Sequence, residues 1–277
     1  MSICTENPPV PGIARTNERR AGSELLLEHV FRPLADAVVP ALVRARVPPP
    51  AVVLANAAAG LCAALAVARG EFMLAALLLQ LKTVLDNADG LLARTTGRVT
   101  LVGRYLDTEA DLVVNAAVFA ALGYAIGQPW LALVAFLALT TVLAVDFNIS
   151  TLYQEAHGEG APPPLTVSGG AAERALGHVY SVAFAPQDRI VRAFSTRRLE
   201  RLLAGASPTE PVARAYNDHL TTRVLANFGL STQLAALGVC LALDMPATYL
   251  YLVVVCLFTL PPLQLRRERL ARKAPER

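Results

Sequence analysis

Apolar residues run along this chain in long unbroken blocks separated by short polar punctuation. Stretches at about 50–68, 72–93, 106–127, 130–153, 222–243 and 246–264 are rich in Ala, Leu and Val, and roughly 20 such residues cross about 30 Å of hydrocarbon as a helix. Six spans are predicted. Backbone polar groups inside a bilayer must pair internally, which leaves helices or a closed barrel, and continuous runs rather than period-two alternation favour helices. The expected fold is an all-α integral membrane protein of six transmembrane helices.

The polar punctuation divides the rest. Residues 1–23 are polar and rich in Pro and Arg, with no apolar h-region of a signal peptide, and are expected to form a disordered tail. Residues 24–49 mix an apolar face with Arg and Glu, and Pro33 and Pro40 argue against a straight span, so an amphipathic helix on the cytoplasmic surface is predicted. "VPPP" at 47–50 then turns the chain into the first span. Between about 155 and 210, a Gly- and Pro-rich loop and a basic amphipathic stretch read as a cytoplasmic insertion. One continuous helix is expected over 210–243, about 50 Å long, and residues 266–277 read as a basic tail.

Composition strengthens the membrane reading: 54% of the 277 residues are hydrophobic and 17% charged, with a mean hydropathy of +0.44. Charge then orients it. Residues 1–49 carry six arginines, 154–223 eight, and the segment after 264 six Lys or Arg, whereas the loops on the other side offer only Arg69. By the positive-inside bias, both termini lie on the cytoplasmic side of the cell membrane. The net charge of +3 suits anionic lipid and calls for no nucleic acid. Cys62, Cys240 and Cys256 sit within spans without metal-ligand spacing and read as small apolar residues.

Four aspartates break this pattern. Asp86 and Asp89 share one helical face with Gly90 and Ala93, and Asp107 and Asp111 share another with Gly103, because steps of three, four and seven return to nearly the same angle. Any one of them alone reads equally well as a solvated charge at a helix end. An Asp near a span centre costs roughly 2.5–3.5 kcal/mol, so four on inward stripes need a counter-charge. Arg94, Arg98 and Arg104 supply part of it; a divalent cation does so more compactly. Carboxylates without Cys or His select hard ions, Mg²⁺ or Mn²⁺. Small residues leave the backbone bare beside the acids, and Arg94 offers a fork for phosphate oxygens. The residues thus point to phosphoryl or phosphodiester transfer at a membrane, assisted by one or two metal ions.

The pattern Asp86-x2-Asp89-Gly90-x2-Ala93-Arg94-x8-Gly103-x3-Asp107-x3-Asp111 resembles the signature of the CDP-alcohol phosphotransferase family at every fixed position. The resemblance implies attack of a hydroxyl on the β-phosphorus of a CDP-linked donor, with release of CMP, in phospholipid biosynthesis. It also implies that Asp86, Asp89 and Asp107 hold metal and that Asp111 takes the hydroxyl proton and shares a second ion. Gly90, Ala93, Gly103 and Arg94 would form the nucleotide and diphosphate pocket, and the protein would be a homodimer. The family's Pro-Asn-x-x-Thr opening is replaced by Pro49, Pro50, Ala51, Val52 and Val53, with Asn56 one turn later as the substitute.

For the acceptor, Tyr216, His219, Arg223, Asn227 and Ser231 recur at steps of three and four, and Asp146 and Ser150 share a face of the fourth span. The leading reading is transfer from CDP-diacylglycerol to a small polar alcohol. A soluble CDP-alcohol donor with a lipid hydroxyl acceptor satisfies the same motif. A divalent-cation transporter also uses intramembrane acids, but transporters commonly show repeats and broken helices, and neither is legible here. An inactive scaffold that keeps the motif is the remaining alternative.

Overall fold

The computed structural model describes residues 24–158 and 169–274, so the expected N-terminal tail and the centre of the Gly- and Pro-rich loop lie outside the described residues. Every regular element among them is helical. A π-helical turn, Leu27–Phe31, runs into α1 (Arg32–Arg44), followed by α2 (Pro49–Ala68), α3 (Phe72–Thr95), α4 (Leu101–Ala125) and α5 (Pro129–His157). The remainder comprises α6 (Ala171–Ala183), α7 (Ala185–Leu202), α8 (Glu210–Tyr216), α9 (His219–Ala226), α10 (Leu230–Ala242), α11 (Pro246–Leu257) and α12 (Leu260–Lys273). Pro33 and Pro40 do not break the segment before the first span: Pro33 occupies the first turn of α1, where its missing N–H matters least, and Pro40 lies inside the helix.

Helix α2 packs on both α3 and α4, α10 and α1 pack on α3, and α5 joins α4 to α11. Ala63, Val67, Leu79, Val118, Leu122, Leu139, Leu237 and Leu250 fill the centre of this bundle. A smaller cluster of Ala35, Val39, Val52, Ala88 and Leu92 pins α1 across α2 and α3. The outer surface is apolar too: Leu54, Leu61 and Leu65 on α2, Val134 and Leu137 on α5, and Leu252 and Val255 on α11 are exposed. A contiguous apolar exterior around a packed core is the arrangement of a membrane bundle. Trp130, 78% exposed, and Tyr124 flank the α4–α5 turn, where aromatic rings suit a membrane–water interface.

By length and composition, four segments can cross a membrane: Pro49–Ala68, Pro129–His157, Glu210–Ala242 and Pro246–Lys273. Helices α3 and α4 are long enough, at 24 and 25 residues, but carry the charged residues of the aspartate stripes.

Two expectations are corrected. The segment 210–243 is not one helix, because Asp218 accepts from the backbone N–H groups of Leu220 and Thr221 and thereby starts α9, while the extended Gly229 starts α10. A side chain that caps a new helix competes with continuation of the old one. Nor are residues 266–273 a free tail. They complete α12, and Arg267, 1% exposed, donates to the backbone oxygen of Tyr216 at 3.0 Å and to Asn217 Oδ1 at 2.8 Å.

Candidate active site

The hairpin that carries the aspartates is set by its turn. Gly97, at φ 66°, lets α3 end with the Gly97 N–H on the Arg94 carbonyl and the Arg98 N–H on the Ala93 carbonyl, a Schellman closure in which the left-handed position favours glycine. Thr100 then caps α4 by accepting from the N–H of Gly103 at 3.1 Å. With both ends of the link fixed, the two stripes face each other. Asp86, Asp107 and Asp111 each place a carboxylate oxygen within 4.8 Å of the others. Asp89, one turn beyond Asp86, is buried and its Oδ2 accepts no hydrogen bond among the described residues.

These observations fit a hard cation. Three converging carboxylates and a fourth with a buried oxygen lacking a donor offer oxygen ligands of the type that Mg²⁺ and Mn²⁺ take. Asp86 and Asp111 remain 13% and 20% exposed, so the cluster opens to a space that another molecule can enter.

That space is a cavity of about 550 Å³, and all four aspartates line it together with Gly90, Ala93, Arg94 and Gly103. The glycines keep it open in different ways. A Cβ on Gly90 would stand 3.3 Å from the Arg94 guanidinium, and one on Gly103 would stand 3.1 Å from Thr100 Oγ1. Arg32, Arg98 and Arg104 share the lining, which adds guanidinium groups suited to phosphate oxygens.

Asn56 reaches the site differently from the expectation. It is 1% exposed and donates from Nδ2 to Asp86 Oδ1 at 3.0 Å; it is absent from the cavity lining. Its place on α2 therefore lets it orient a carboxylate rather than touch a nucleotide.

The acceptor candidates divide. Asp146, Ser150 and Ser231 line the cavity, and Ser150 Oγ donates to Asp146 Oδ1 at 3.4 Å. Tyr216, His219, Arg223 and Asn227 do not. Tyr216 is buried, donates to the Ser195 carbonyl at 3.0 Å, accepts from Gln264 and lies 4.0 Å below the Arg267 guanidinium. Asn227 Oδ1 accepts from the N–H of Leu25. His219 and Arg223 are exposed. The break between α8 and α9 and the restart at α10 turn the stripe away from a single face.

Four participants escaped sequence reasoning. Lys82 is fully buried and donates to Asp111 Oδ1 at 2.7 Å, with Asp86 Oδ1 at 3.8 Å. Its signal was available: it is the lone cation of an apolar run, one turn before Asp86. The other three come from the insertion and the helix beneath it. Asp188 of α7 lines the cavity and accepts from Asn148 Nδ2 of α5 at 2.8 Å and from the Tyr180 hydroxyl of α6 at 2.9 Å. Burial first, and the adjacent Asp188 carboxylate second, push the Tyr180 phenol above its ordinary range and keep it a donor. Tyr180 also stacks on Tyr105 of α4 and on Phe184, each at 5.4 Å. No periodicity ties these residues to the aspartates, so the sequence held no comparable signal for them.

Among known proteins, residues 46–179 match the family described as CDP-alcohol phosphatidyltransferase. The "Bifunctional IPC transferase and DIPP synthase" of Thermococcus kodakarensis (strain ATCC BAA-918 / JCM 12380 / KOD1) is 31% identical over 137 residues, which cover 49% of this chain and 31% of that protein. This chain thus matches about a third of its relative's length. No solved structure matches.

Proposed function

We propose that this chain, whose residues 46–179 match the CDP-alcohol phosphatidyltransferase family, transfers the phosphatidyl group of CDP-diacylglycerol to the hydroxyl of a small polar alcohol, releasing CMP. The observation that carries this reading is the convergence of all eight motif positions, Asp86, Asp89, Gly90, Ala93, Arg94, Gly103, Asp107 and Asp111, on one cavity. Leu112, Leu139, Leu143 and Leu230 share its lining, which favours a donor with an apolar part.

Asp86, Asp89 and Asp107 would hold Mg²⁺ or Mn²⁺, which when bound supplies positive charge against the diphosphate and the leaving CMP. Gly90, Ala93 and Gly103 admit the nucleotide close to the helix backbones, and Arg94 steadies phosphate oxygens by paired hydrogen bonds. Asp111 accepts the proton of the attacking hydroxyl. Asp146, Ser150 and Ser231 offer polar contacts to the acceptor, while Asp188, held by Asn148 and Tyr180, closes the same cavity from the insertion.

In the membrane, α3 and α4 would join the four apolar segments as spans, giving six, with their charged ends and the α6–α7 insertion at the cytoplasmic side. A homodimer is the assembly implied by the family. The test is direct: purified protein in detergent with Mg²⁺ is given CDP-diacylglycerol or a soluble CDP-alcohol, each with a pool of acceptors, and CMP is measured. Release from CDP-diacylglycerol with formation of a new phospholipid is expected. Release from the soluble donor alone would reverse the roles of lipid and alcohol, and no CMP from either would defeat the family chemistry.

A further inference from the structure

We propose that Lys82 occupies the position of one divalent cation, so that each copy of this chain holds a single Mg²⁺ or Mn²⁺. The inference rests on the carboxylates being a metal site but adds a count and a residue to it.

The ammonium group already brings positive charge to a carboxylate of each stripe. Two-metal centres hold their ions about 3.5–4 Å apart, sharing carboxylates between them. Here the Asp86 and Asp111 oxygens, drawn from opposite helices of the hairpin, already share a cation: Lys82 Nζ lies 2.7 Å from Asp111 Oδ1 and 3.8 Å from Asp86 Oδ1. The same Asp86 oxygen accepts from Asn56 at 3.0 Å. A second divalent ion bridging these oxygens would stand within contact distance of a fixed positive charge, and its repulsion would be twice that between two monovalent ions.

Lys82 is not able to withdraw easily. Its side chain is 0% exposed, and its stem runs along α2 at Gly60, where an added Cβ would come within 3.3 Å of Lys82 Cδ. Lysines near a membrane surface ordinarily carry the charge outward along a flexible stem; this one is enclosed with its charge directed at the carboxylates. A buried cation is retained where partners satisfy it, and the partners here are carboxylates of the candidate metal site. Asp86, Asp89 and Asp107 would then hold the one ion. The positive charge that a second ion would present to a diphosphate is available from Arg32, Arg94, Arg98 and Arg104 on the cavity wall.

The experiment counts ions without requiring turnover. Full-length protein in detergent is stripped with EDTA and titrated with Mn²⁺, with bound ions counted by calorimetry and by loss of the free-ion paramagnetic signal. One Mn²⁺ per wild-type chain is expected, and two per chain for Lys82→Met, which keeps the bulk of the stem without the charge. Thermal unfolding adds a second readout: without metal the variant melts below wild type, and Mn²⁺ raises its Tm more. Two ions per wild-type chain would overturn the proposal, as would a folded Lys82→Met that binds one. Should the variant not fold, the wild-type count decides by itself. Absence of CMP release from every donor, with one ion bound, would defeat the functional reading and leave the ion count standing.

Discussion

The α3–α4 hairpin and the α8–α10 segment both carry polar residues at steps of three and four, yet they end in different states. In the hairpin, each helix is unbroken through its stripe, and a Schellman turn and a Thr100 cap hold the two faces together, so that Asp86, Asp107 and Asp111 converge within 4.8 Å. In the second segment, Asp218 and Gly229 interrupt the helix. Tyr216 is then absorbed by Ser195, Gln264 and Arg267, His219 and Arg223 face outward, and only Ser231 reaches the cavity. A polar stripe becomes a site when its helix persists and a second polar face is held against it. Periodicity alone supplies the first condition and says nothing about the second.

The difference can be broken most severely in the hairpin. Asp111→Asn keeps the size of the side chain but removes the proposed base, and the proposed CMP release should fall by about 10²- to 10⁴-fold, measured as initial rates on protein that still elutes as a folded species. A loss under tenfold would remove Asp111 from proton transfer.

An intermediate effect is expected one contact away. Asn56→Ala removes the donor that orients Asp86, and loss of such a supporting contact typically weakens metal affinity by about 10- to 100-fold. A Mn²⁺ titration of the variant reads this out, and unchanged affinity would reduce Asn56 to a packing residue.

The smallest changes belong to the second segment. Tyr216→Phe should lower stability by about 1–2 kcal/mol through its two lost hydroxyl contacts, seen in thermal unfolding, with kcat/KM for the acceptor unaltered. Under the same assay His219→Ala and Arg223→Ala should change turnover by less than about threefold, as expected of exposed side chains away from the chemistry. A tenfold rise in acceptor KM for either would restore the stripe as a binding surface and void the contrast.

Much of the candidate site was legible because it is written within single helices. The spacing of Asp86 to Asp89 and of Asp107 to Asp111 puts each pair on one face whatever the rest of the molecule does, and the apolar blocks around them fix a helical membrane protein. Lys82 could have been read by the same rule, since it stands one turn before Asp86. The insertion could not: Asp188 meets the cavity only because α7 packs on α5 and α6 packs on α4.

The chain's own residues thus determined its helical, membrane-embedded class, the two carboxylate stripes and the small residues beside them, because hydropathy and the 3.6-residue repeat are local properties of a helix. Tertiary structure decided which stripes meet, that Asn56 bonds to Asp86 across 30 residues and Asn148 to Asp188 across 40, and that Lys82 pairs with Asp111 on the other helix of the hairpin. Those outcomes depend on the relative placement of helices, which is set by packing between residues distant in the chain. The dihedral preferences and hydropathy of a single helix do not encode it.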